Sequence, residues 1–247
     1  MFKRDLYFSK PMMNAAGMLG FSPNFRDPLP WSDFGAFVTN PISLRPRLPA
    51  AQPELVNYPG GLLLHTGLPN PGFKAAIKKY AAQWARSELQ VVVHLMADRP
   101  EETVVMVRAL EGMENIAAVE LGFAPLLTDD IIELAVGICV GELPLIINLP
   151  GGQILRLSPR LIEIGAAAVS LAAPRGVLSG NDGMLVAGRL YGPSLLPQTM
   201  EIVKSVSKLG VPVIAAGGMY SLEDSTKTLS VGALAFQWDT VLWSGII

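Results

Sequence analysis

The chain has 247 residues, half of them hydrophobic and 16% charged, with 19 basic and 21 acidic side chains. That balance excludes a basic field for nucleic acid or lipid headgroups, and a single cysteine, Cys139, excludes a disulfide framework. No uninterrupted apolar run approaches the ~18 residues that span a bilayer, and the opening MFKRDLYFSK lacks a signal-peptide core, so a cytoplasmic protein with no membrane association is expected.

In chain order, short apolar runs alternate with helix signals. The candidate strands are 10–16, 35–40, 89–95, 116–122, 143–149, 166–172, 211–217 and 232–238. Several lack polar alternation, as parallel strands covered on both faces do. Pro71-Gly72 precedes one helix and Asp98 with Pro100 a second. Thr128, Asp129 and Asp130 open a third, where acidic side chains favour the helix N-terminus. Ser158-Pro159 is read as the start of a fourth and Pro197 of a fifth, which Gly210 stops; Ser221 and Asp224 form a capping-box-like start to the last. Eight strand–helix units in about 250 residues predict one domain over 1–247, a parallel (β/α)8 TIM barrel. Residues 41–72, rich in Pro and Gly, read as a long loop after the second strand, on the face where barrels place ligands.

The seventh strand ends in Gly217-Gly218 and runs into a helix start, an arrangement suited to phosphate. Metal chemistry is not expected, because two histidines and one cysteine make no convincing ligand cluster. His94 ends an apolar strand and reads as a core or barrel-mouth histidine. His65 stands on the ligand face as a hydrogen-bonded loop residue or an acid–base group. Arg45 and Arg47 read as solvated charges or an anion clamp, and Tyr191 as a packing residue or a ligand contact.

The segments MNAAGMLGF (13–21), GAFVTNPISLRPR (35–47), TGLPNPG (66–72), YGPS (191–194) and IAAGGMYSLED with GALAFQWDT (214–240) occur in order. Together they resemble the dihydroorotate dehydrogenase family of FMN-dependent barrels, from about residue 10 to 241. The resemblance implies that Ala15, Ala16 and Gly17 lie under a flavin ring. It implies that the backbone amides of Thr66, Gly67 and Leu68 face a substrate carboxylate. Gly192, Gly217, Gly218, Asp239 and Thr240 would surround the FMN phosphate and its ribityl chain.

Departures from the family pattern are equally specific. Asn40 and Asn148 stand where the family has lysines, and Leu64 replaces a substrate-binding asparagine. LGFAPLLTDD offers no cysteine or serine base, and SLAAPRG no asparagine. Asp239 replaces a glycine; a carboxylate ~4 Å from a phosphate charge costs ~4 kcal/mol at an effective dielectric of 20. Bulky Trp238 beside it points to a remodelled site. The expected protein is a flavin-type oxidoreductase barrel with altered or lost substrate chemistry, His65 being the available proton-transfer group. The alternative is a catalytically silent barrel acting as a homo-oligomer or partner subunit, with the apolar tail DTVLWSGII seeking cover. Either way, a small molecule is the ligand expected at the C-terminal face.

Overall fold

The computed structural model describes residues 5–125, 127–180 and 182–243. Residues 1–4, and the end of the apolar tail at 244–247, lie outside that description. Twelve strands run in chain order: β1 (Met12–Asn14), β2 (Phe34–Val38), β3 (Glu54–Tyr58), β4 (Gly61–His65), β5 (Gln90–Ala97), β6 (Ile116–Phe123), β7 (Leu145–Leu149), β8 (Ala168–Leu171), β9 (Arg175–Ser179), β10 (Leu185–Tyr191), β11 (Val213–Ala216) and β12 (Ala235–Trp238). Among the described residues there are six α-helices: α1 (Phe73–Ala85), α2 (Pro100–Leu110), α3 (Asp129–Cys139), α4 (Gly151–Ile164), α5 (Leu196–Lys208) and α6 (Leu222–Ser230).

Eight strands, β1, β2, β5, β6, β7, β8, β11 and β12, pair in parallel and close into a barrel. They are the eight that the sequence predicts. The barrel lumen is packed with Met13, Ala36, Val38, Val92, Ala118, Ile146, Ile214 and Ala235, all fully buried. Side chains on the opposite faces pack against the surrounding helices, which explains strands that are apolar without alternation. The Asn14 side chain donates to the Val38 carbonyl at 2.6 Å and accepts from the Val38 amide at 3.0 Å, where the β1–β2 register shifts. An amide side chain there does the work of a backbone rung.

The other four strands form an antiparallel sheet in the order β3-β4-β10-β9. This corrects the sequence reading of 41–72 as irregular loop. β4 pairs with β3 in a local hairpin and, on its other edge, with β10, more than a hundred residues away, so the sheet as a whole depends on tertiary pairing. The sheet sits on excursions that leave β2 and β8 at their C-terminal ends, on the face where barrels bind ligands.

Two helix starts bear on the site. α4 begins at Gly151, and Pro159 lies inside it rather than opening it. The carbonyl that a proline at 159 leaves without its amide donor belongs to Leu155, which is 42% exposed, so water can satisfy it. α6 starts as expected: the Asp224 amide donates to the Ser221 hydroxyl at 3.1 Å. Cys139 is buried in α3, and burial pushes its thiol up to about 11, which keeps it protonated and inert.

Candidate active site

Two residues beyond the apolar lumen layer, toward the C-terminal ends, the same inward-facing positions turn polar. Val92 is followed by His94, Ala118 by Glu120, Ile146 by Asn148 and Ala235 by Gln237; Ser170 joins them on β8. Period-two alternation puts each of these on the lumen side. His94 and Glu120 are register partners on adjacent strands, as are Asn148 and Ser170.

Glu120 is the centre of this layer and is fully buried. Its Oε2 lies 2.6 Å from His94 Nδ1. Its Oε1 accepts from the Ser170 hydroxyl at 2.6 Å and from the Gln237 amide at 2.9 Å. Asn148 donates to Ser170 at 2.9 Å. Burial pushes the Glu120 carboxyl up, but the hydrogen bond and charge of His94, then Ser170 and Gln237, outweigh it and hold it below its ordinary value. The backbone amide of His94 is fixed by Thr39 Oγ1 at 3.0 Å. A buried carboxylate with both oxygens satisfied makes a rigid, negatively charged floor.

Above the floor lies an inner hollow of about 30 Å³, lined by Ala15, Ala16, Asn148, Gly217 and Asp239 among others. Unmoved side chains leave room there for only one or two water-sized groups. Arg189 and Tyr191 close it from the antiparallel sheet. An outer cleft of about 250 Å³ continues past His94, Asn148 and Arg189. A third hollow of about 200 Å³, beneath the antiparallel sheet, is walled by His65, Thr66, Gly67 and Leu68 together with Arg189.

Asp239, at the end of β12, differs from Glu120. It is 3% exposed; its Oδ1 accepts from Thr240 Oγ1 at 3.3 Å, and its Oδ2 is buried with no partner among the described residues. Burial raises its carboxyl to about 6, against a smaller opposing pull from the amide and hydroxyl of Thr240. Thr240 also bonds the Tyr220 hydroxyl at 2.5 Å. Burial likewise raises the Tyr191 phenol, with the nearby Asp239 charge adding to the rise.

The residues singled out from sequence divide into groups. Ala15, Ala16, Asn148, Gly217 and Asp239 meet at the inner hollow. His65, Thr66, Gly67 and Leu68 meet at the third hollow instead, so His65 does not face the inner one. The Leu68 amide is already taken by Thr66 Oγ1 at 3.1 Å. Gly17, Asn40, Gly192, Gly218 and Thr240 line none of these hollows. Asn40 accepts from the Gly20 amide at 3.0 Å and steadies the loop after β1. Gly218 has φ +86°, and a Cβ there would lie 2.2 Å from the Leu196 amide nitrogen; at Gly192, φ +138°, it would lie 2.3 Å from Gly61. Both glycines serve close backbone crossings. Trp238 turns away from the hollow and donates its indole N–H to Ser225 at 2.8 Å, so it does not reshape the mouth.

The sequence reading missed Glu120, Ser170, Gln237 and Arg189. The available signal was a lone polar residue two places after a lumen residue in strands already recognised.

The fit to FMN splits along its length. Small Ala15 and Ala16 suit a flat ring once Arg189 and Tyr191, which close the inner hollow, move outward; the Asn148 amide then faces its polar edge. The phosphate end that the resemblance implies does not fit: Asp239 there keeps one buried carboxylate oxygen without a partner among the described residues, and its charge opposes a dianion.

Fold and mouth together define a (β/α)8 barrel with a ligand-binding C-terminal face. A family model described as dihydroorotate dehydrogenase matches residues 4–123. The catalytic subunit of dihydroorotate dehydrogenase B (NAD(+)) from Pelobacter propionicus is 29% identical over 95% of this chain and 84% of its own length. The corresponding subunit from Geotalea daltonii is 29% identical over 93% and 82%. A crystal structure of DHODH from Eimeria tenella, in complex with ferulenol, has a TM-score of 0.74 over 97% of this chain and 78% of that one; at 16% identity it bears on the fold alone. In sequence, the chain is thus similar to dihydroorotate dehydrogenases, over its first half by the family model and over most of its length by the two relatives.

Proposed function

We propose that this protein is a flavin-type oxidoreductase barrel of the dihydroorotate dehydrogenase family whose substrate is not dihydroorotate. The observation that carries this is the make-up of the mouth. Small residues, Ala15 and Ala16, border a hollow floored by an ordered His94–Glu120–Ser170 network. In place of the family's lysine on the fifth barrel strand stands Asn148, a dipole rather than a fixed positive charge. Beneath a bound ring the floor presents a carboxylate held anionic, which opposes negative charge building up above it.

What this chain's own groups do is limited and specific. Gln237 and Ser170 lock the Glu120 carboxylate, and Glu120 orients the His94 ring through Nδ1. His94 lines both the inner hollow and the outer cleft, and its other ring nitrogen, Nε2, packed over Gly122, is left as its proton-handling atom. His65 remains the acid–base group of the neighbouring hollow. FMN, when bound, would supply hydride chemistry, and Asp239 disfavours its phosphate.

Titration with riboflavin, which has the ring and no phosphate, separates the two ends. The expected result is quenching of riboflavin fluorescence at one equivalent, with no dye reduction on adding dihydroorotate. Unperturbed spectra with riboflavin and FMN alike would favour the catalytically silent barrel. Dye reduction by dihydroorotate would overturn the altered-substrate reading.

A further inference from the structure

The third hollow is walled by three arginines from separate parts of the chain: Arg47 from the excursion after β2, Arg175 from β9 and Arg189 from β10. No aspartate or glutamate lines it. Arg175 and Arg189 are register partners on adjacent antiparallel strands. Like charges placed directly opposite on a sheet destabilise it, so the pairing calls for a compensating charge. Among the described residues, neither forms an ion pair with a carboxylate, whereas Arg45, Arg99, Arg108, Arg156 and Arg160 each do. Arg47 has one partner, Asp98, at 3.8 Å on the side of the outer cleft. Arg189 is half-buried between the hollows and hydrogen-bonds the buried Tyr191 side chain, a neutral phenol whose proton burial holds, so that contact supplies no negative charge. Among the described residues, this site of about 200 Å³ holds two arginines with no carboxylate partner and a third shared with Asp98, an arrangement made for a small ligand that carries the missing charge.

We propose that the hollow between the antiparallel sheet and the barrel mouth binds a small polyanion, a molecule with at least two acid groups, gripped by Arg175 and Arg189 and closed over by Arg47. Guanidinium groups favour carboxylate and phosphate oxygens alike through two-pronged hydrogen bonding. The hollow adjoins the inner one through Arg189 and Tyr191, so an acid bound there sits beside the mouth. This inference is independent of whether a flavin binds.

The test is thermal unfolding and isothermal titration of the whole protein at low ionic strength. Citrate and pyrophosphate serve as probes, with chloride matched for ionic strength as control. Citrate, pyrophosphate or both should raise the unfolding temperature above the chloride control, and the stronger probe distinguishes a polycarboxylate from a phosphate ester. Arg175→Gln should weaken that probe at least tenfold while unfolding no earlier than wild type when no probe is present, since it relieves a like-charge pair. Arg47→Gln, on a different element, should also weaken binding and keeps the test decisive if the strand variant fails to fold. A response to both probes no greater than to chloride, or wild-type affinity in the foldable variants, overturns the proposal.

Discussion

Two buried carboxylates share one barrel mouth and have opposite circumstances. Glu120 has His94, Ser170 and Gln237 on its two oxygens and is held ionised. Asp239 keeps one oxygen unpartnered and is pushed up to about 6. Burial is nearly equal, so the difference comes from the neighbours. Glu120 belongs to the scaffold of the floor. Asp239 is left to take a proton, or a ligand that donates a hydrogen bond, and it repels a phosphate.

Breaking the satisfied carboxylate should have the largest effect. Glu120→Ala leaves His94, the Ser170 hydroxyl and the Gln237 amide facing an empty site, and we expect a loss of about 3–5 kcal/mol by denaturant unfolding. Glu120 also sets a pH dependence: its contribution is complete above its unfolded value of 4.5 and is lost as pH falls through its lower folded value.

The unsatisfied carboxylate should behave in reverse. Its ionisation cost is absent below the unfolded value of 3.8, grows as pH rises and is complete above about 6. Asp239→Asn should therefore stabilise the protein at pH 8, by up to about 3 kcal/mol, and by nothing near pH 4. Equal stabilisation at both pH values would show that charge is not the cause. Smaller still, Ser170→Ala should cost about 1 kcal/mol by removing one donor from Glu120 and one acceptor from Asn148. Ser221→Ala, whose hydroxyl bonds neither carboxylate, should cost about 1 kcal/mol through its lost helix cap and leave the pH dependence of Glu120 unchanged.

The same contrast shows what could be read from sequence. The eight barrel strands were legible because each is a short apolar run covered on both faces, and the helix cap at Ser221 because capping is local. β3, β4, β9 and β10 were not, since these two hairpins are held in one sheet by the pairing of β4 with β10, far apart in the chain. The start of α4 was misplaced because a proline usually opens a helix, whereas Pro159 sits inside one. Asp239 was conspicuous as a departure from a glycine pattern. Glu120 was hidden: in IAAVELG it reads as an interruption of a strand, and its meaning depends on partners from β5, β8 and β12.

The most direct test is FMN affinity at pH 8 for wild type and Asp239→Asn, measured by fluorescence titration. If an ionised Asp239 guards the phosphate end, the variant binds at least tenfold more tightly at pH 8, and the gap narrows at pH 5, where the wild-type carboxyl is largely protonated. Equal affinities at pH 8 would contradict the account.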